Sequence, residues 1–247
     1  GLFVNFFPMD STRARPSFLE KLLCEVMEKG GPDSVSVVDT VSAALPSALG
    51  ALVRKVKNLV KVPVEVHAHN DFGLGVAGAL SAVEAGAEVI HVSANGLGER
   101  CGNTALEEVA VCLKVLYGVE TNLRYNKLQE LAILVEKHSR MELPRNKPVV
   151  GRMAFTRESG LGIDVFKRHP KAMLPYCPEF VGQKFNMVLG KKSGRPSIKV
   201  KLEEMGISAT EEQIDNMVKL VKTRGIEKKG TLTDEEFEKI TREVLET

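Results

Sequence analysis

The sequence predicts an α/β fold of parallel strands, and three observations carry that prediction. Short β-branched runs alternate with amphipathic helical patterns four times within residues 1–118, the rhythm of strand–helix–strand units. The conspicuous polar residues, Asp10 to Arg13, Asp39 and Thr40, His67 to Asp71, and Asn95 to Asn103, all fall where strands end. In α/β folds sites assemble at the carboxyl ends of strands. The crossovers are right-handed, giving half of a β/α barrel or a small doubly wound sheet.

Taken in order, Leu2 to Phe7 is an apolar run closed by Pro8. Pro16 to Lys29 follows as a helix, with Phe18, Leu19, Leu22, Leu23, Val26 and Met27 at helical spacing and Gly30-Gly31 as its stop. Ser34 to Thr40 reads as the second strand and Pro46 to Val60 as the second helix. Val64 to His69 is the third strand, ended by Asn70 and Asp71 and followed by a glycine turn and an alanine-rich helix from Val76 to Ala85. Glu88 to Asn95 is the predicted fourth strand, and the loop Asn95 to Asn103 leads into a helix ending near Leu116. Beyond Gly118 the rhythm changes. Leu123 to Arg140 is helical, Pro144 to Pro178 shows no periodicity, and Leu189 to Arg195 forms a glycine turn. The tail carries two helices opened by capping boxes, Thr210 with Gln213 and Thr233 with Glu236. The resulting division is 1–118, 119–200 and 201–247.

Composition excludes several classes. A net charge of +2 on 247 residues, with one short basic cluster at Lys191, Lys192 and Arg195, argues against a nucleic-acid partner. No apolar run is long enough to span a bilayer, so a cytoplasmic protein is expected. The four cysteines lie far apart without a C-x-x-C, which indicates neither a disulfide framework nor a zinc knot.

The stretch Val64 to Gly75, VEVHAHNDFGLG, organises the rest. On a strand, residues two apart share a face, so Glu65, His67 and His69 point one way and Val64, Val66 and Ala68 the other. Two neutral imidazoles on one face can converge on a divalent ion at ~2.0–2.2 Å, with oxygen ligands completing the shell. An isolated His-x-His is weak evidence; the HND tip and the glycine-rich loop after the next strand strengthen it. His91, inward on its own strand, reads instead as a hydrogen-bonded core histidine.

VDTVSAALP, VEVHAHNDFGLG, HVSANGLGERCGNTALEEV, ESG, PEFVG and LGKKSGR together resemble the DRE-TIM metallolyase superfamily, and within it the 2-isopropylmalate, homocitrate and citramalate synthases. The resemblance extends over nearly the whole chain. It implies an α/β fold formed by the second half of a TIM (β/α)8 barrel, strands 5–8, followed by a mostly helical C-terminal appendage. It also implies a divalent-metal-dependent acyltransferase that condenses acetyl-CoA with a 2-oxo acid. His67, His69 and Asn103 match the metal-site residues, with Zn, Mn or Mg as the ion. Thr40 matches the threonine that holds the 2-oxo acid carboxylate, and Arg13 and Ser93 join it as candidate substrate-binding residues. Glu99, Arg157 and Tyr176 are the catalytic candidates.

Three positions depart from the family pattern. FPMDSTR stands where SPEDATR is common, so Met9 replaces a glutamate. Arg157 stands where a histidine commonly precedes Glu-Ser-Gly, and Met173 where a tyrosine is common, with Tyr176 three positions on. The family's Asp-Arg-Glu strand, with its acidic third metal ligand, has no counterpart here. By that comparison the chain begins at the fifth strand and needs a complementing N-terminal half-barrel or a second copy, as a homodimer. The alternatives are a metal-dependent C–C lyase or aldolase of the same superfamily, or a non-catalytic partner chain.

Overall fold

The computed structural model describes residues 1–169 and 172–246, in two compact units, Gly1–Glu142 and Leu143–Thr247. This division differs from the three segments read from the sequence. The helix expected after residue 118 lies within the first unit, and the segment before residue 200 shares a unit with the helical hairpin.

In the first unit, strand β1 (Asn5–Phe6) precedes α1 (Pro16–Lys29), whose first turn is set by proline and not by a capping side chain. Proline suits that position because its missing N–H would be unpaired there anyway. Strand β2 (Ser34–Asp39) leads to α2 (Pro46–Leu59), which also opens on proline, and β3 (Val64–Ala68) leads to α3 (Gly75–Glu84). Strand β4 (Val89–His91) is followed by α4 (Leu106–Val115) and α5 (Leu128–Ser139).

Several elements are shorter than predicted, two of them for a visible reason. The fourth strand ends at His91, not Asn95, because Asn95 adopts φ 61° inside a tight turn over Ala94–Gly96, a backbone no strand can carry. The helix predicted from Leu123 begins at Leu128, after a separate turn over Tyr125–Lys127.

The four strands pair in parallel in the order β1-β2-β3-β4, with His67 opposite Val38 on one side and His91 on the other. One face is apolar. Val35, Val37, Val64 and Val66 pack there with Leu19 and Leu23 of α1, Leu49, Val53 and Val56 of α2, and Ala82 of α3. The other face carries Asn5, Ser34, Ser36, Glu65, His67 and His91. A doubly wound sheet has helices on both faces and a switch in strand order. The sequential order and the single covered face found here are those of a barrel wall.

In the second unit, β5 (Thr156–Arg157) pairs in parallel with β6 (Asn186–Met187), and a short helix α6 spans Ile163–Arg168. These lie in or beside the stretch without periodicity; its residues 170 and 171 fall outside those described. Helix α7 (Arg195–Glu204) occupies a segment the sequence reading left as a turn and tail. Its alternating SIKVKLEE hides the helical period, and Pro196 at its start was the available signal. Helices α8 (Glu211–Lys228) and α9 (Asp234–Leu245) both open on the expected capping boxes. With α7 they enclose Ile198, Met217, Ile240 and Phe237, all nearly inaccessible.

Leu23 is 1% exposed on the inward side of α1, whereas Phe18 is 56% exposed on the other. Leu23→Ala should therefore destabilise the protein by about 2–5 kcal/mol. Phe18→Ser should stay within about 0.5 kcal/mol. Urea unfolding measures both.

Candidate metal and substrate site

The polar face of the sheet is layered. Towards the start of the strands, the Asn5 amide donates to Ser34 Oγ at 2.7 Å and accepts from Ser36 Oγ at 2.9 Å. Glu65 Oε2 and His91 Nε2 lie 2.7 Å apart, so His91 is hydrogen-bonded as its strand position suggested, but its side chain is 29% accessible and not part of the core. Burial alone would raise the Glu65 carboxyl, but hydrogen bonds from Ser34, His91 and Asn5 outweigh it and hold the group below its usual value.

One layer higher stand the two histidines of the HND stretch. His67 Nε2 and His69 Nε2 are 3.3 Å apart. Burial, followed by the neighbouring His69 and His91, lowers the His67 pKa and favours the neutral imidazole, the form that ligates a metal.

Beyond Ala68 the chain pairs with the loop after β4 in a short antiparallel bridge, His69 opposite Asn103. Asn70 N donates to Gly102 O at 3.0 Å, and Thr104 N to Ala68 O at 3.1 Å. The glycines of GLGERCGN make that turn possible. A Cβ on Gly102, at φ 89°, would lie 2.0 Å from Gly96 O, and one on Gly98 would lie 2.6 Å from the Asn103 amide.

The bridge places side chains from β3 and the β4 loop together. His69 Nδ1 and Asn103 Oδ1 are both buried without a hydrogen-bond partner, and Asn103 Nδ2 is held by Leu97 O at 3.1 Å, which leaves the amide oxygen as the outward acceptor. Buried polar atoms without partners are costly. A nitrogen pair at 3.3 Å fits two ligands of one ion with bonds of ~2.0–2.2 Å. The donor set therefore fits a divalent ion at His67, His69 and Asn103. Among the described residues no group of three or more His, Cys, Asp or Glu could hold a metal by itself, so an acidic ligand would come from elsewhere.

Around this centre the loops are laced together. Arg100 donates from Nε to Asp71 Oδ1 at 2.7 Å and from Nη2 to Asp71 Oδ2 at 3.0 Å and Thr40 O at 2.6 Å. The guanidinium holds the Asp71 carboxyl down at about 2. Asp71 N donates to Ser42 Oγ, and Thr40 Oγ1 accepts from Asp10 N at 2.8 Å, while Arg13 is paired with Asp10. Asp39 accepts from Thr12 Oγ1 at 2.7 Å and Ala43 N at 2.8 Å.

Of the candidates named from the sequence, His67, His69, Asn103, Thr40, Arg13, Ser93 and Glu99 thus gather in one crown of loops. Ser93 spends its hydroxyl proton on Leu97 O. The Glu99 side chain is 82% exposed and lies 3.5 Å from Arg100. Arg157 and Tyr176 belong to the second unit. There the Arg157 guanidinium contacts Met173 Sδ at 3.3 Å and Leu161 O at 3.1 Å, and the Tyr176 ring meets Phe155 and Phe180. The sequence does not reveal Arg100 as the partner of Asp71 or Glu65 as the partner of His91. Position two before His67 on the same face was the signal for Glu65.

The fold and site define a β/α-barrel-type protein with paired imidazoles on the inner face of one strand. Comparison with known proteins gives the family. The HMGL-like family model matches residues 1–135, more than half of the chain, and the protein belongs to that family. A second model, homocitrate synthase post-HMGL domain-like, matches residues 149–229. Homocitrate synthase AksA of Methanopyrus kandleri is 41% identical over all of this chain and 62% of its own length. The 2-isopropylmalate synthase of Methanocaldococcus jannaschii is 41% identical over 99% of this chain and 48% of its own length. The chain thus spans roughly half to three-fifths of these relatives. The HMG-CoA lyase of Bacillus subtilis aligns with 57% of this chain and 51% of its own at a TM-score of 0.50 and 23% identity, a likeness of fold.

If Arg100 is what ties the Asn103 loop to the tips of β2 and β3, Arg100→Ala should speed amide hydrogen exchange at Gly102 and Asn103. Exchange over α1 should not change. Arg100→Lys, which keeps the charge but loses the two-pronged geometry, should fall between.

Proposed function

We propose that the protein is a divalent-metal-dependent acyltransferase of the synthase type, joining acetyl-CoA to a 2-oxo acid. The observation that carries this reading is the His67–His69 pair bridged to Asn103 on the polar face of the parallel sheet, together with synthase relatives at about 41% identity. In the reaction, a proton leaves the acetyl methyl and the resulting carbon bonds to the keto carbon. The keto oxygen takes up a proton, and water cleaves the thioester to release free coenzyme A and a 2-hydroxy diacid.

His67, His69 and Asn103 would hold the ion, which when bound polarises the keto group and balances developing oxyanion charge. Thr40 accepts the Asp10 N–H and so keeps its own O–H to donate to a substrate carboxylate. Arg13 and Ser93 border the same loops as further substrate contacts. Glu99 is the carboxylate assigned to proton transfer; its open position leaves it able to turn inwards, and unliganded geometry does not exclude a base. Arg157 and Tyr176 rest on the family resemblance. Arg157 stays protonated and acts as a charge, not as a base.

The first unit is read as strands 5–8 of a (β/α)8 barrel. Four units cannot close eight strands, and Leu2, Phe3, Val4 and Val89 at the two sheet edges are exposed. The remaining units, and with them an acidic third ligand, come from another part of a longer chain, a separate chain or a second copy in a homodimer. Among the described residues no helix is long and apolar enough to cross a membrane.

Two experiments test the reading. His67→Ala and His69→Ala should each abolish Zn²⁺ or Mn²⁺ binding in calorimetry while circular dichroism stays unchanged; retained binding would remove the metal site. The assembled protein should release thiol from acetyl-CoA with one member of a 2-oxo acid panel, and a chelator should stop it. Cleavage of a hydroxy acid without acetyl-CoA would instead indicate a lyase, and neither reaction a non-catalytic chain.

A further inference from the structure

Phe7 follows β1 immediately and, two residues beyond Asn5, shares the polar inner face. Its ring centre is 5.4 Å from that of His67, edge to face, and 5.9 Å from that of His91, with the planes parallel to within 1°. Strand β2 lies between β1 and β3, so the ring leans across a neighbouring strand to border the space in front of the imidazoles. It is not sealed into the core, since 41% of Phe7 remains accessible.

We propose that Phe7 is a specificity-determining residue, one wall of the pocket for the 2-oxo acid's side chain, selecting apolar side chains over those ending in a second carboxylate. The proposal rests on the condensation reading above. A phenyl ring has no N–H or O–H, so a carboxylate laid against it would lose water without gaining a partner, whereas an alkyl group gains apolar burial. Of the loop cations, Arg100 is held by Asp71 and the Thr40 carbonyl, and Arg13 is paired with Asp10, so neither stands beside the ring as an unengaged charge. Among the substrate types implied by the relatives' names, this assigns the chain one with an apolar side chain.

The test compares 2-oxoisovalerate with 2-oxoglutarate in the assembled, Mn²⁺-loaded protein. Calorimetric binding and thiol release are read in parallel for the wild type, Phe7→Ser and Phe7→Tyr. The wild type should prefer 2-oxoisovalerate in both measurements. Phe7→Ser should lower that preference by ~10-fold or more, the scale on which apolar pockets discriminate. Phe7→Tyr keeps the ring and adds a donor at its rim, so it should shift the ratio the same way even if the serine variant folds poorly. Mn²⁺ affinity should be unchanged in both, separating a lost wall from a disturbed His67. A wild-type preference for 2-oxoglutarate, or ratios untouched by either substitution, would overturn the proposal. Phe7-dependent binding without thiol release would remove the condensation reading and leave the wall standing; no binding of either acid would remove both.

Discussion

A single short antiparallel bridge, His69 against Asn103, is what the site depends on. A parallel strand can point two imidazoles the same way, but the amide that stands beside them comes from another segment. The bridge brings Asn103 there by folding the loop after β4 back over the tip of β3, with the Asn70 and Thr104 amides bonded across it. The turn is compatible only with glycine at 102, whose Cβ would fall on the Gly96 carbonyl. The loop glycines therefore serve the chemistry indirectly, by letting Asn103 reach the histidines. Catalysis on strand tips generally has this form, with rigid strands aiming side chains and irregular loops bringing the rest.

The crown of loops holds its shape at a local conformational cost. Asp10, Ser42, Asn95 and Arg100 all adopt positive φ without being glycine, and each lies in a loop at the carboxyl end of a strand. Such conformations persist only where surrounding interactions impose them. Those interactions can be named for all four: Arg13 and Thr40 on Asp10, Asp71 on Ser42, Glu107 and Ala132 on Asn95, Asp71 and Thr40 on Arg100. The strain sits where the candidate site residues are, away from the valine-rich layer beneath.

Much of this was legible in the sequence because it is local. Pro16 marks the start of α1, Thr210 and Thr233 mark the last two helices, and period-two alternation puts His67 and His69 on one side of β3. The features that escaped are set at long range. The early end of β4 follows from a left-handed Asn95 that Glu107 and Ala132 hold from 12 and 37 residues away. Arg100 was visible as part of a motif, but its partners Asp71 and Thr40 lie 29 and 60 residues back. Helix α7 was hidden by an alternating pattern that, read locally, suits a strand. Phe7 looked like the last residue of an apolar strand, and only the pairing of four strands brings it to the imidazoles.

The Arg100–Asp71 latch has a consequence for the medium in which the protein works. It is a contact between full charges near the surface, with the arginine side chain 38% accessible and the aspartate 20%. Dissolved ions screen such contacts over about 8–10 Å at ordinary ionic strengths. The loop carrying Asn103 is thus fastened in part by a force that electrolyte weakens and in part by the backbone bonds of the bridge, while the strand beneath is fastened by buried valines on which simple salts have little hold. Rising salinity would loosen the outer latch first and leave the bridge to hold Asn103 beside the imidazoles.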